Sequence, residues 1–328
     1  MNKKLSGLLF AVCTIFSILT GCFTGSSNLA ITDTDIHIGC MKGPTAIGMI
    51  KLLSDSDAKE TKNNYIYTIA GTADEISTAL IKGDLDVAAV PCNLASVLYN
   101  KTDGEIVTVA INTLGVLYIV EAGNSIDSIK DLKGKTIYST GQGTTPEYTL
   151  RYLLSSAGID PDNDVDIQYK SEASEVVATL STDKNGVAML PQPYVTSAMN
   201  NNENLRIALD VTKEWEKLAE DSTVVTGVLV ARKSFIEANK DAFALFLDEY
   251  ETSTEYANSN VEETATLLES FDVFKAAIAK KAIPYCNVTF VCGSEMKTLA
   301  SAYLKVLYEQ NPKAIGGKFD EGMFYIAE

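Results

Sequence analysis

Short apolar, β-branched runs alternate with helix-period segments over the first two thirds of the chain, and this rhythm restricts the fold more than any other feature. The runs lie at 36–41 (IHIGCM), 65–70 (YIYTIA), 87–91 (VAAVP), 107–113 (VTVAINT) and 116–121 (VLYIVE). They continue at 135–139 (KTIYS), 166–170 (DIQYK), 186–190 (GVAML), 205–211 (LRIALDV) and 226–232 (TGVLVAR). Between them, helical spacing appears at about 44–55, 73–83, 93–100, 145–157, 173–181 and 192–200. Such alternation predicts an α/β fold of mixed, mostly parallel sheets covered by helices. After residue 232, helical patterns dominate, at 233–258, 261–269 and 294–309.

The order of these elements suggests two lobes with the chain passing between them twice. Residues 34–115 and 225–328 form one lobe and residues 116–224 the other. Two nearly apolar stretches, NTLGVLYIV and VVTGVLVAR, are the natural crossings. Each carries a glycine, Gly115 or Gly227, where a backbone can bend, and these are the expected hinge positions. Periodicity alone also fits one larger domain in which the same stretches are ordinary core strands.

The first residues carry a targeting signal. Asn2-Lys3-Lys4 gives a basic start, LSGLLFAVCTIFSILT an apolar run, and the run closes on Leu19-Thr20-Gly21-Cys22. An aliphatic residue, two small ones and a cysteine make the bacterial lipoprotein pattern, so residues 1–21 are expected to be removed and Cys22 lipidated. The anchor would hold the protein on the outer face of the cell membrane. Residues 22–33, rich in Gly, Ser, Thr and Asn, then read as a flexible tether.

Cleavage there leaves 307 residues, enough for two lobes, with 25 basic against 43 acidic residues and a net charge of −18. Nucleic acid, which needs a basic footprint, is excluded as a partner. Cys40 and Cys92 sit in apolar strand contexts and read as buried thiols. Cys286 and Cys292 flank NVTFV and can bridge only if that segment turns back, because a straight strand holds them too far apart. A single histidine, His37, leaves no zinc cluster and no Ser-His-Asp set, so neither metal nor cofactor is expected.

In open α/β lobes, ligands sit beyond the carboxyl ends of strands, where helix N-termini present free N–H groups. Several loops have that local chemistry. Lys42-Gly43-Pro44-Thr45 follows the first strand, with Pro44 suited to a first helical turn. Gly71-Thr72 precede a helix, and Thr72 with Glu75 fits a capping box. Cys92-Asn93 follow a buried strand, with Asn93 as helix cap. Gly141-Gln142-Gly143-Thr144-Thr145 opens another helix, and Gln192 with Tyr194 follows the strand at 186–190. Plain capping, tight turns and a solvated lysine account for the same residues without a ligand. Recurrence at several strand ends in both lobes favours binding.

Two nucleotide motifs fail on specific residues. GKT at 134–136 lacks the first Walker glycine, because Ile129 stands there, and Gly134 opens a strand rather than a helix. A dinucleotide fingerprint starting at Gly141 meets Pro146 where glycine or alanine belongs.

The lipoprotein pattern, AGTADEISTALIKGDLDVAAVPCNLA, SIKDLKGKTIYSTGQGTTPEYTLRYLLSSAGIDP and AMLPQPYVTSAM together resemble extracellular solute-binding proteins of ABC importers. More narrowly, they resemble the branch of nitrate, sulfonate, taurine and thiamine-pyrimidine-precursor binders. The resemblance covers residues 34–325 and implies the two-lobe periplasmic-binding-protein-like fold of type II. It also implies that the loops at Lys42–Thr45, Gly71–Thr72, Cys92–Asn93, Gly141–Thr145 and Gln192 line a cleft holding a small polar or anionic solute. No arginine stands at those turns, and Arg151 lies about two turns into its helix, a departure from an anion binder of this family.

The expected mechanism is capture between lobes, closure, and delivery by a monomer to an ABC permease driven by a cytoplasmic ATPase. Pyrimidine-pathway and menaquinone-pathway enzymes share the plan and form the rival reading. A lone His37 near a strand start offers them little as a general base. A ligand-sensing lipoprotein is a further alternative. Trp215 and Tyr194 serve either as lobe packing or as stacking surfaces for an aromatic ligand.

Overall fold

The computed structural model describes Thr32 and residues 34–326. Cys22, the leader at 1–21 and most of the tether therefore lie outside the described residues. The chain begins with β1 (Asp35–Met41), α1 (Pro44–Ile47), α2 (Ile50–Asp57) and β2 (Asn64–Ala70). It continues through α3 (Ala73–Lys82), β3 (Val87–Pro91), α4 (Cys92–Lys101) and β4 (Ile106–Thr113). Then follow β5 (Leu117–Ala122), β6 (Thr136–Ser139), α5 (Thr145–Ser156), β7 (Asp166–Tyr169) and α6 (Ala173–Thr182). Next come β8 (Val187–Pro191), α7 (Tyr194–Asn201), β9 (Leu205–Asp210) and α8 (Val211–Glu216). The last third holds β10 (Gly227–Arg232), α9 (Lys233–Ala238), α10 (Lys240–Ser259), α11 (Val261–Ser270), α12 (Ala276–Ala282), β11 (Val288–Cys292) and α13 (Gly293–Gln310).

These elements build two sheets, ordered β11-β4-β10-β3-β1-β2 and β7-β6-β8-β5-β9. Each sheet with its helices is a lobe, called here the first and the second. The chain leaves the first sheet after β4, completes the second, and returns as β10, which inserts between β3 and β4. Parallel pairing joins β1 to β2 and β3, and β6 to β7 and β8. Antiparallel pairing belongs to the crossing strands β5 and β10 and to β11. A strand arriving from the other lobe runs against its new neighbours, which makes each sheet mixed.

Local sequence explains most elements. Every residue of β3 and β4 is buried, the mark of strands covered on both faces. In α3, the Thr72 hydroxyl accepts the Glu75 amide at the start, and Gly83 adopts φ 83° at the end. Helix α10 buries Phe243, Phe246, Leu247 and Tyr250 at helical spacing against the first sheet. Elements absent from the sequence reading are short. Helix α8 hides behind the apolar run of β9 and is started by Asp210, whose carboxylate accepts the Thr212 and Lys213 amides. Strand β11 is a half-buried edge with a register shift between Val288 and Val291, and α12 spans seven residues.

The lobes share a buried apolar core on one side. A cluster of buried residues runs from Leu98 and Val228 of the first lobe to Leu150 and Leu153 of the second. Trp215 is fully buried at the junction, its ring 4.4 Å from Tyr152 and 5.0 Å from Tyr303 on α13. The hydroxyls of Tyr303 and Thr149 meet at 2.7 Å. Trp215 is therefore lobe packing, not a stacking surface. Cys286 is a free, buried thiol donating to the Ala282 carbonyl, so no Cys286–Cys292 bridge forms. Their separation follows from β11, which runs extended between them.

At the crossings, glycine serves close approach rather than an unusual backbone. Neither Gly115 nor Gly227 has positive φ. A Cβ on Gly115 would fall inside the Thr212 side chain, and one on Gly227 would stand 2.6 Å from Asn112 Oδ1.

Candidate functional site

Between the lobes lies a cleft of about 520 Å³, within the usual range for small-ligand sites. Its walls come off strand ends, as the topology demands. The first lobe supplies Met41–Thr45 after β1, Gly71–Asp74 after β2 and Pro91 at the end of β3. The second supplies Thr140–Gln142 with Thr144 after β6, Tyr169–Ala173 after β7, and Pro191 with Tyr194 after β8. Leu117 and Thr226 enter from the two crossings. Helices α3, α5 and α6 all start at this space, so three sets of N-terminal amides and partial positive charges converge there.

Of the residues expected from sequence, Lys42, Gly43, Pro44, Thr45, Gly71, Thr72, Gly141, Gln142 and Thr144 line the cleft. Cys92, Asn93, Gly143, Thr145 and Gln192 do not. Cys92 is buried at the first turn of α4, and burial pushes its thiol well above its ordinary value. Asn93 is not a helix cap, because α4 already begins at Cys92. Its side chain instead joins the lobes behind the cleft. Asn93 Nδ2 donates to the Ala314 carbonyl at 2.8 Å and the Gly143 carbonyl at 3.3 Å, and Oδ1 accepts from the Thr145 hydroxyl at 3.2 Å. Gln192 turns inward, its Oε1 accepting from Thr196 amide and hydroxyl at the start of α7.

The glycine-rich turn is also more self-contained than its sequence suggests. Gly141 and Gly143 take φ of 71° and 76°, which explains glycine at both. The Gly143 amide, however, donates to Glu147 at 2.6 Å, and the Thr144 amide and hydroxyl both donate to the Gly141 carbonyl. Glu147 is in turn bound by Arg151, whose other arm reaches Asp162. A carboxylate built into the chain thus occupies part of the cradle, and Arg151 braces it from behind rather than entering the cleft.

Side chains missed from sequence include Tyr169, Lys170, Glu172, Asp74 and Thr226, all lining the cleft. The β7–α6 turn carries the same strand-then-polar-then-helix signature as the others, and that signal would have found Glu172. Charge in the cleft is mixed: Lys42 and Lys170 against Asp74 and Glu172. Lys42 reaches outward to Asp272 at 3.0 Å and holds that carboxyl below the usual range. Lys170 lies 5.7 Å from the Tyr138 ring centre. Neither Asp74 nor Glu172 forms an ion pair among the described residues.

Tyr194 closes the mouth. Its hydroxyl donates to the Lys42 carbonyl across the cleft at 3.2 Å, and its ring meets Phe274 edge-on at 5.0 Å. Burial, with the negative charge of Glu172 adding, pushes that hydroxyl up to about 12, so it stays protonated and able to donate.

Comparison with known proteins agrees with this architecture. Residues 56–280 match the model of a family described as ABC transporter, phosphonate, periplasmic substrate-binding protein. No curated protein matches the sequence. Among solved structures, an ABC transporter protein from Parabacteroides distasonis is similar at 24% identity and TM-score 0.72, over 89% of this chain and 99% of that one. The periplasmic aliphatic sulphonate-binding protein SsuA of Escherichia coli aligns at 19% identity and TM-score 0.69, over 89% and 92%. The periplasmic nitrate-binding protein NrtA of Synechocystis aligns at 16% and 0.58, over 73% and 66%. At such identities these three likenesses carry the fold.

Proposed function

The chain belongs to the phosphonate family of ABC-transporter periplasmic substrate-binding proteins, and from that premise we propose that it captures a small organic anion bearing a second polar or cationic end. Its family is one of solute binders that serve a membrane permease outside the cytoplasm, not of enzymes. The observation that carries the solute class is the charge pattern of the cleft. Three helix N-termini favour an anionic group. Asp74 and Glu172, which form no ion pair among the described residues, disfavour a bare anion such as nitrate and favour an ammonium at the far end.

The binding residues in this reading are the cleft-lining members of the sequence set, Lys42–Thr45, Gly71–Thr72, Gly141–Gln142 and Thr144, joined by Glu172 and Tyr194. Closure would turn on the crossings near Gly115 and Gly227, so that solute bound to both lobes supplies the differential energy for the closed shape. Lobe boundaries at 115/116 and 224/225, lipidation at Cys22 and attachment to the outer face of the cell membrane belong to the same proposal. No helix among the described residues is long and apolar enough to cross a membrane, and an acyl anchor on a 22–33 tether would keep the cleft near its permease.

Isothermal titration of the protein with ethanesulfonate, taurine, 2-aminoethylphosphonate, nitrate and a pyrimidine tests this. The amine-bearing anions should bind at least tenfold tighter than their amine-free counterparts. Equal affinity for ethanesulfonate and taurine would remove the role given to the two carboxylates, and binding of the pyrimidine alone would overturn the solute class.

A further inference from the structure

Nine buried side-chain polar atoms lack a hydrogen-bond partner among the described residues, and four of them belong to residues around Gly227. They are Thr45 Oγ1, Asn112 Oδ1, Thr113 Oγ1 and Thr226 Oγ1. Gly227 marks the centre: a Cβ there would stand 2.6 Å from Asn112 Oδ1, 2.8 Å from Thr45 Cγ2 and 3.4 Å from Thr113 Cβ. Thr45 and Thr226 line the cleft although only 4% and 9% exposed, while Asn112 and Thr113 are buried and do not line it.

The surrounding polar groups are already committed. The Thr226 amide donates to the Thr113 carbonyl and its carbonyl accepts from Cys92, both at 3.1 Å. Asn112 Nδ2 donates to the Tyr250 hydroxyl at 3.2 Å. Pro44 and Pro91 beside them have no amide proton to offer. What remains unmatched is a group of side-chain oxygens, three of them hydroxyls that can donate. Buried polar atoms without partners are unfavourable, and folded proteins keep few of them. Four gathered at the carboxyl end of β4 and the start of β10 sit where α/β sheets receive ligands.

We propose that Thr45 and Thr226, backed by Asn112 and Thr113, form a hydrogen-bonding seat in the cleft floor for an oxygen-bearing headgroup of the solute. This rests on the reading of the cleft as a solute site and adds a residue, Thr226, from the second crossing. The seat has no charge of its own, so it selects by hydroxyl donation and shape, leaving charge recognition to the walls. A headgroup without oxygen acceptors leaves these hydroxyls unmatched and is rejected on that account.

Thr226→Val and Thr226→Ser in the full chain test the seat, with 2-aminoethylphosphonate and taurine as probes. Valine is nearly the same shape and removes an unmatched polar atom. It should leave the unfolding temperature without probe unchanged or higher, and weaken probe binding at least tenfold. Serine keeps the hydroxyl and should bind within threefold of the parent. A clear fall in the probe-free unfolding temperature of Thr226→Val would show a structural hydroxyl and overturn the seat, as would valine binding within threefold of the parent. If neither probe binds the parent protein, the solute class fails separately. The probe-free unfolding temperatures of Thr226→Val and Thr45→Val then decide the seat, supported if they hold or rise and overturned if they fall.

Discussion

The cleft is held differently at its back and at its mouth. Behind it, Trp215 packs against the rings of Tyr152 and Tyr303, and fully buried Asn93 ties α4 to Thr145 and to Ala314. In front, the lobes meet through Tyr194, whose hydroxyl reaches the Lys42 carbonyl and whose ring meets Phe274, and through α7 lying against α12. Extended apolar burial with satisfied buried polar groups holds strongly, whereas one hydrogen bond and one ring contact contribute little. The join behind is therefore the stronger of the two.

The strongest way to break this contrast is Trp215→Ala. Emptying a fully buried aromatic site should cost about 3–5 kcal/mol of stability in urea unfolding, and a loss well under that would mean the back is not the principal join. Asn93→Ala comes next, at about 1–3 kcal/mol, because it strands the Thr145 hydroxyl and the Ala314 carbonyl. A double-mutant cycle with Thr145→Val should show coupling of at least about 0.5 kcal/mol, and strict additivity would remove the cross-lobe bond from the account.

At the mouth, Tyr194→Phe removes a single hydrogen bond, worth about 0.5–1.5 kcal/mol. It should barely alter urea unfolding, yet raise the radius of gyration of the solute-free protein in X-ray scattering. An unchanged radius would mean that the bond does not hold the front closed. Acid should act most gently of all. Lys42 lowers the pKa of Asp272, so the pair contributes above the ordinary aspartate range, near 3.9, and is lost as pH falls through the depressed value. Because the pair lies within the first lobe, acidification below about pH 4 should lower the urea midpoint only slightly through it, a part of the decline absent in Asp272→Asn. Asp272→Asn should leave the radius of gyration unchanged; a larger radius in that variant would show that the pair also holds the front.

What the sequence revealed follows the same division. Strands β1 to β10 were legible because each is a short run rich in apolar or β-branched residues, most of them set off by helix-period segments, and the strand-end rule led to Lys42–Thr45, Gly71–Thr72, Gly141, Gln142 and Thr144, which line the cleft. It failed where a polar residue at a helix start had a partner from distant sequence. Asn93 looks like a cap, but its bonds run to Thr145 and Ala314, 52 and 221 residues away. Gly143 looks like a ligand cradle, but Glu147, one helical turn on, fills its amide. Thr226 was invisible for the opposite reason. It lies in an apolar crossing with no helix behind it, and only the meeting of β4, β10 and α1 gives it significance.

The placement of β10 between β3 and β4 bears on how the protein comes into being. The second lobe draws all its strands from residues 117–210 and can be completed as soon as that stretch is made. The first sheet, begun earlier, must wait with a gap at its centre until residue 232 has emerged, exposing the apolar edges of β3 and β4 in the meantime. Biogenesis of this chain should therefore run middle first, and the half-made first lobe is the species that a chaperone would need to shield.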